Sequence, residues 1–261
     1  MSQVTSRDGT TIEYERSGRG PAVIIVDGAL CRLAFGPSAT LAPRLAEHFT
    51  VYAYDRRGRG RSGDTPPYAP SREVEDLAAL IQEAGGSASL VGLSSGGALA
   101  LEAAASGLPI DRIVAYEPPY VDDTGERGGA AHEGQLLRLL AAGNRGGAVK
   151  YFMKDMVGVP APFVAMMRLM WWVWPKLEAV AHTIPYDARI MTEFRIPRAR
   201  FASVHVPVLV MNGTKTDGRL RDVARAVAGV VPGAQYRELA GQTHNVKPGV
   251  LTPAVVEFFT R

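Results

Sequence analysis

The sequence contains very little cysteine and no long apolar run. Cys31 is the only cysteine among the 261 residues, which excludes a framework of disulfides within the chain. No stretch approaches the about 18 consecutive apolar residues that a membrane-spanning helix needs. The first residues also lack the apolar segment of a cleaved signal peptide. We therefore expect a cytoplasmic protein that does not insert into a membrane.

The sequence also lacks a large excess of charge of one sign. The 29 Lys and Arg residues nearly balance the 26 Asp and Glu residues, and the arginines are scattered along the chain. A nucleic-acid-binding surface needs a basic tract with interleaved aromatic residues, so we expect no nucleic-acid partner. The expected partner is a small-molecule substrate, with neither a metal nor a cofactor. The oligomeric state is not predicted.

The most informative stretch is residues 88–104, which follows the pattern of strand, tight turn and helix. A short apolar run leads through a Gly-x-Ser-x-Gly turn, with Ser94 at its centre, into a segment rich in Ala and Leu. In a nucleophile elbow the serine adopts a strained backbone conformation for which the flanking glycines leave room. We therefore predict that Ser94 is a nucleophile and that the N–H of Ser95, at the helix start, is an oxyanion-hole donor.

A second motif follows another buried strand. Residues 22–26 and 50–54 are apolar on both faces, as central parallel strands are, and residues 10–16 alternate as an early antiparallel strand does. The second buried strand continues into Asp-Arg-Arg-Gly-Arg-Gly-Arg-Ser-Gly at residues 55–63. A phosphate-binding loop is the alternative interpretation, but no Gly-Lys-Ser/Thr follows. We favour a structural turn held by glycines and arginine hydrogen bonds.

These two motifs, in this order and spacing, resemble those of the α/β-hydrolase superfamily. The resemblance implies an α/β fold with a mostly parallel central sheet, helices on both faces and a helical cap inserted over the active site. The 46% of apolar residues suffices for one such domain. The core is expected to comprise residues 1–120 and 204–261, and the cap residues 121–203. The Ala-, Gly- and Arg-rich composition is typical of a bacterial source.

The resemblance also implies a catalytic base and a second oxyanion donor. His244, late in the chain and just beyond a strand, matches the histidine that takes the serine proton in this family. The loop after residues 22–26 usually carries His-Gly, whereas this chain has Asp27-Gly28. Because the donor there is a backbone N–H, here that of Ala29, the oxyanion hole can survive this departure.

Two carboxylates compete for the acid that orients the base. Glu117 ends the strand after the nucleophile strand, at the edge where open α/β sheets bind their ligands. The usual loop carries Thr216 at the expected acid position and Asp217 one residue later. We favour Glu117, because a shift of one residue can move a short side chain out of hydrogen-bond reach. Asp217 remains the alternative.

Large apolar side chains crowd the segment from residue 153 to residue 181. Methionine and tryptophan side chains can form an adaptable apolar pocket. The alternative interpretation is that most of them pack the cap onto the core. The expected pocket residues are Leu30, Met153, Met167, Trp171 and Trp172.

The resulting functional hypothesis is a serine hydrolase that cleaves a carboxylic ester, lactone or thioester of an apolar small molecule through an acyl-enzyme. A serine at position 94 argues against the dehalogenases and epoxide hydrolases of this fold, which use aspartate there. Fold does not decide function, so two alternatives on the same triad stay open, namely cofactor-free haloperoxidase-like perhydrolysis and hydrolysis of a carbon–carbon bond. A non-catalytic small-molecule binding protein is the third alternative.

Overall fold

The computed structural model describes residues 1–120, 129–191 and 194–261. Within these ranges eight strands form a single sheet: β1 Ser2–Thr5, β2 Thr11–Gly18, β3 Ala22–Val26, β4 Thr50–Tyr54, β5 Ala88–Leu93, β6 Ile110–Tyr116, β7 Val208–Gly213 and β8 Gln235–Leu239. The α-helices are α1 Ser38–Leu45, α2 Pro70–Glu83, α3 Ser95–Ala105, α4 Gly129–Ala141, α5 Arg145–Tyr151, α6 Ala161–Leu169, α7 Trp174–Ala179, α8 Ile184–Ile190, α9 Arg198–Phe201, α10 Gly218–Val230 and α11 Pro248–Phe259.

The strand order is β1-β2-β4-β3-β5-β6-β7-β8. The pairs β1–β2 and β2–β4 are antiparallel, and every other pairing is parallel. Strands β4, β5 and β7 are buried at every residue, as expected for strands covered by helices on both faces. The predicted mostly parallel α/β sheet is therefore confirmed. Strand β1, a short and largely exposed edge strand, was not predicted from the sequence.

Helices bury an apolar cluster on each face of the sheet. On one face α2, α3 and α10 contribute Leu77, Leu99 and Val227, none of which is exposed to solvent. On the other face α1 and α11 contribute Leu41 and Val255. Both clusters continue through the parallel strands, so the carboxyl ends of β3, β5, β6, β7 and β8 are held at one edge of a rigid sheet.

The chain between β6 and β7 is helical in its described part. Residues 121–128, where the predicted cap begins, lie outside the described residues. Helices α4 to α7 enclose a third apolar cluster that includes Leu136, Val149 and Trp174 and also holds Leu30 from the loop after β3. From Ile190 onward, by contrast, apolar side chains pack into the core cluster around α3. The insertion therefore has an outer helical part and a last part that packs with the core.

None of the helices in the described ranges is long and apolar enough to cross a membrane.

Candidate active site

Ser94 occupies a strained turn between β5 and α3. Its φ of 55° and ψ of −126° lie in a region that non-glycine residues rarely adopt, which costs about 1–3 kcal/mol. Two glycines make the turn possible. A Cβ on Gly92 would lie 2.5 Å from the Gly96 carbonyl oxygen, and a Cβ on Gly96 would overlap the carbonyl oxygen of Val26. The turn is closed by the Ser94 N–H, which donates to the Tyr116 carbonyl at 2.9 Å.

The loop after β8 brings His244 to a carboxylate at the end of β6. Nδ1 of His244 lies 2.6 Å from Oε2 of Glu117. The imidazole is 41% exposed, whereas the carboxylate is fully buried. When Nδ1 donates its proton to the carboxylate, Nε2 is left as a proton acceptor. This is the tautomer that general-base catalysis by histidine requires.

The second oxygen of Glu117 is fixed by β7 and the loop that follows it. Oε1 accepts hydrogen bonds from the Gly213 N–H at 2.8 Å and from the Thr216 hydroxyl at 2.5 Å. Burial raises the pKa of Glu117, but the hydrogen bonds from His244, Gly213 and Thr216 outweigh burial and hold this pKa below its usual range. The carboxylate is therefore ionised at neutral pH and oriented by three donors.

Asp217 lies elsewhere. Its exposed carboxylate accepts a hydrogen bond from the Arg219 N–H at 2.9 Å and lies 3.2 Å from Arg219 Nε. It caps the first turn of α10, a common role for aspartate. Thr216, at the position where the resemblance led us to look for the acid, instead donates a hydrogen bond to Glu117. The structure thus brings Glu117 to His244 and leaves Asp217 on the surface.

The loop after β3 passes directly beside Ser94. A Cβ on Gly28 would lie 3.0 Å from the Ser94 Cβ, so the backbone of Gly28 is packed against the serine side chain. Asp27 anchors this loop to α1, since its carboxylate accepts from the Ser38 N–H at 3.2 Å and from the Ser38 hydroxyl at 2.6 Å. Ala29 follows Gly28, and Ser95 begins α3, where backbone N–H groups have no partner within the helix.

Asp27 gives rise to a prediction about stability and pH. Burial raises the pKa of Asp27 to about 6, and the hydrogen bonds from Ser38 and the charges of Arg59 and Arg56 counteract it only in part. Between about pH 4 and pH 6 the folded protein thus binds more protons at this site than the unfolded chain, so stability from this group falls as pH rises. The free energy of unfolding of Asp27→Asn, relative to that of wild type, should therefore increase by about 2–3 kcal/mol as the pH rises from about 4 to about 8.

Urea denaturation of both proteins across this pH range measures the effect. Asp76, whose pKa burial also raises to about 6, is present in both proteins and cancels from the difference. Parallel stability curves for wild type and Asp27→Asn would show that Asp27 keeps an ordinary pKa in the folded state.

The arginine motif after β4 forms a buried ionic network. Arg56 makes two hydrogen bonds to Glu73, at 2.7 and 2.9 Å, and one to Asp187 at 2.8 Å. Arg59 reaches the other oxygen of Asp187 at 2.7 Å. The predicted structural turn held by arginine hydrogen bonds is therefore confirmed. Asp187 was not predicted from the sequence, because this aspartate of the insertion belongs to no motif.

The five residues predicted to line the pocket divide into two groups. Leu30 is buried in the apolar cluster of α4 to α7, and Met153 and Met167 are partly buried against the same cluster. Trp171 and Trp172 are 78% and 52% exposed and contact each other edge to face. The structure brings the first three residues together and leaves the two tryptophans at the surface of the insertion.

Comparison with known proteins shows which family has this fold. Residues 27–256 match the sequence profile of the alpha/beta hydrolase family. The crystal structure of an alpha/beta hydrolase from Sphaerobacter thermophilus is 52% identical, with a TM-score of 0.93 over 99% of this chain and 100% of that chain. The enol-lactonase from Burkholderia xenovorans is 22% identical, with a TM-score of 0.74 over the full length of both chains, and shares the fold.

A curated relative is the N-formylmaleamate deformylase of Pseudomonas putida. It is 35% identical over 122 residues, which are 44% of this chain and 44% of that protein. The chain thus aligns with less than half of this relative's length. The family match spans most of the chain, so the protein belongs to the alpha/beta hydrolase family, and its class of activity is that of a hydrolase.

Proposed function

We propose that the protein is a serine hydrolase that cleaves a carboxylic ester, lactone or thioester through an acyl-enzyme. The observation that carries the proposal is the 2.6 Å hydrogen bond between His244 and the buried carboxylate of Glu117, in a fold that holds Ser94 in a strained elbow. These three residues have the order Ser, acid, His along the chain, which this fold uses.

Each group has a defined role in the proposed reaction. His244 Nε2 takes the proton of Ser94 as the serine oxygen attacks the substrate carbonyl, and the backbone N–H groups of Ala29 and Ser95 stabilise the oxyanion that forms. His244 then returns the proton to the leaving group, which departs. A water molecule releases the acid from Ser94 by the same steps. Glu117 stays ionised and stabilises the imidazolium.

The insertion supports an apolar substrate of moderate size. Leu30 lies in the loop that passes beside Ser94 and is also part of the apolar cluster of the insertion. Met153 and Met167 pack against the same cluster. Methionine side chains adapt their shape to apolar ligands. The acyl or ring portion of the substrate would thus lie between the insertion and the elbow, with its carbonyl at Ser94.

The test is intact-mass analysis after treatment with a small fluorophosphonate, with Ser94→Ala as the control. We expect one stoichiometric adduct on the wild-type protein and none on Ser94→Ala. Hydrolysis is then measured with p-nitrophenyl esters, lactones and thioesters, and with an N-formyl amide because of the deformylase relative. A folded wild-type protein that neither forms the adduct nor hydrolyses any of these compounds would contradict the proposal.

A further inference from the structure

A buried arginine is hydrogen-bonded to the peptide that carries the proposed oxyanion donor. Nη1 of Arg59 donates to the carbonyl oxygen of Gly28 at 2.6 Å. The Arg59 side chain is only 1% exposed, whereas Ala29, on the other side of the same peptide bond, is partly exposed. A charge-assisted hydrogen bond of this length in a dry environment is strong and well oriented.

Because the Gly28–Ala29 peptide is trans, this contact fixes the direction in which the Ala29 N–H points. The C=O of Gly28 and the N–H of Ala29 lie in one plane and point in opposite directions. Since the carbonyl points to Arg59, the Ala29 N–H points away from it. Gly28 itself packs against the Ser94 side chain, so this N–H projects from the backbone beside the nucleophile. The positive charge on the carbonyl side also polarises the peptide and strengthens the N–H as a donor.

The loop after β3 has a strained conformation that contacts from other parts of the chain must stabilise. Leu30, directly after Ala29, has a φ of 61°, which is rare and costly for a leucine. A second guanidinium holds the preceding peptide, because Nη1 of Arg56 donates to the Asp27 carbonyl at 3.2 Å. Without these two donors the loop could relax its strain by rotating the peptides that the oxyanion hole needs.

Asp187 of the insertion holds the arginine in place. Its Oδ2 accepts from Arg59 Nη2 at 2.7 Å, and Arg59 Nε lies 3.1 Å from the Thr183 hydroxyl. Its Oδ1 accepts from the Ser95 hydroxyl at 2.7 Å. One fully buried carboxylate of the insertion therefore contacts Ser95 directly and is linked through Arg59 to the carbonyl of the Gly28–Ala29 peptide.

We propose that Arg59 is a positioning residue that fixes the Gly28–Ala29 peptide so that the Ala29 N–H faces the reaction centre, with Asp187 anchoring its guanidinium. This inference rests on the proposed serine-hydrolase function. It predicts that loss of Arg59 weakens stabilisation of the oxyanion and leaves binding of the neutral substrate nearly unchanged.

The experiment compares Arg59→Met and Arg59→Lys with Arg57→Met. Arg57 is a matched control because it is equally buried in the same loop, with Asp76 and Asp8 as its ion-pair partners. For each protein we would measure kcat and KM with p-nitrophenyl butyrate, the rate of phosphonylation by the fluorophosphonate, and the thermal midpoint of unfolding. Phosphonylation is informative because it also places a charged oxygen in the oxyanion hole.

Arg59→Met should lower kcat and the phosphonylation rate by about 100-fold, with KM changed less than about threefold. Arg59→Lys should recover part of this loss and, if Arg59→Met does not fold, carries the test alone. Arg57→Met should lose thermal stability and keep its kcat. Equal losses of kcat in Arg57→Met and Arg59→Met, a loss confined to KM, or wild-type kcat in every Arg59 variant that folds would overturn the inference.

The wild-type measurements separate this inference from the function on which it rests. If the wild-type protein is neither phosphonylated nor active, both the proposed function and the inference are wrong. Wild-type protein that is phosphonylated at Ser94, together with folded Arg59 variants that react equally fast, leaves the function in place and overturns the role of Arg59 alone.

Discussion

Replacement of Glu117 by glutamine is expected to lower kcat by about 10³–10⁴-fold without unfolding the protein. The reason lies in the donors around the carboxylate. Oε1 already accepts from the Gly213 N–H and the Thr216 hydroxyl, so the glutamine carbonyl would take that place and its NH₂ group would face His244 Nδ1. The imidazole would then accept at Nδ1 and carry its proton on Nε2. That tautomer cannot take a proton from Ser94.

Asp217→Asn is the matched control for this prediction. Asp217 contacts Arg219 at the start of α10, so its loss should leave kcat within about twofold of wild type and cost at most about 1 kcal/mol of stability. Steady-state kinetics of both variants with p-nitrophenyl butyrate measure the effects. The assignment of the acid would be wrong if Asp217→Asn lost several orders of magnitude in kcat and Glu117→Gln did not.

Much of the fold could be predicted because its signals are local. The strands Ala22–Val26 and Thr50–Tyr54 have the same bounds in the structure as predicted from the sequence. Buried parallel strands are short, continuous apolar runs bounded by turn residues, and a window of a few residues contains all of that information. The elbow around Ser94 is similarly local, since its glycines and its nucleophile lie within one turn.

The helix boundaries were harder to predict. The apolar spacing of residues 41–49 predicts a helix there, whereas α1 is Ser38–Leu45. Pro43 lies inside this helix, and its first turn carries no acidic residue as a start signal. The start coincides with the hydrogen bonds from Ser38 to Asp27, a residue in the preceding loop. That contact depends on the fold of the loop and leaves no pattern in the helix itself.

The contacts that orient the candidate site are the least predictable part. Thr216 meets Glu117 across 99 residues of sequence, and Asp187 meets Ser95 across 92 residues. Neither residue type nor spacing indicates such a pair, because only the assembled sheet and insertion bring the groups together. The choice between Glu117 and Asp217 thus rested on strand ends and loop spacing, whereas the structure gives the hydrogen-bond partners of each carboxylate directly.

Asp187→Asn is expected to cost about 3–5 kcal/mol in the free energy of unfolding at neutral pH. The carboxylate is fully buried between the guanidinium groups of Arg56 and Arg59, at 2.8 and 2.7 Å. Asparagine has nearly the same shape, so packing is kept, and the loss is that of a charge and of one hydrogen-bond acceptor. Arg56 retains Glu73, whereas among the described residues the other hydrogen-bond partners of Arg59, the Thr183 hydroxyl and the Gly28 carbonyl, are uncharged. An uncompensated buried charge is more costly than the removal of a surface ion pair.

The pH dependence of this loss provides a second measurement. Burial raises the pKa of Asp187, but Arg59 and Arg56 outweigh it and hold this pKa below its usual range. A lowered pKa in the folded state means that the stabilisation is present above about pH 4 and disappears as pH falls through the folded-state value. The difference between wild type and Asp187→Asn in urea denaturation should therefore shrink under acidic conditions.

Glu75→Gln is the control, because Glu75 contacts Arg72 at 2.9 Å in a partly exposed ion pair. This substitution should lower the free energy of unfolding by less than about 1 kcal/mol. A similar cost for Asp187→Asn and Glu75→Gln would show that solvent reaches the buried network and screens it. A large cost for Asp187→Asn that does not change with pH would point to lost packing instead of lost charge. The expected result, a large cost that acid removes, requires a charged aspartate from the insertion that stabilises the arginine motif beneath the proposed oxyanion hole.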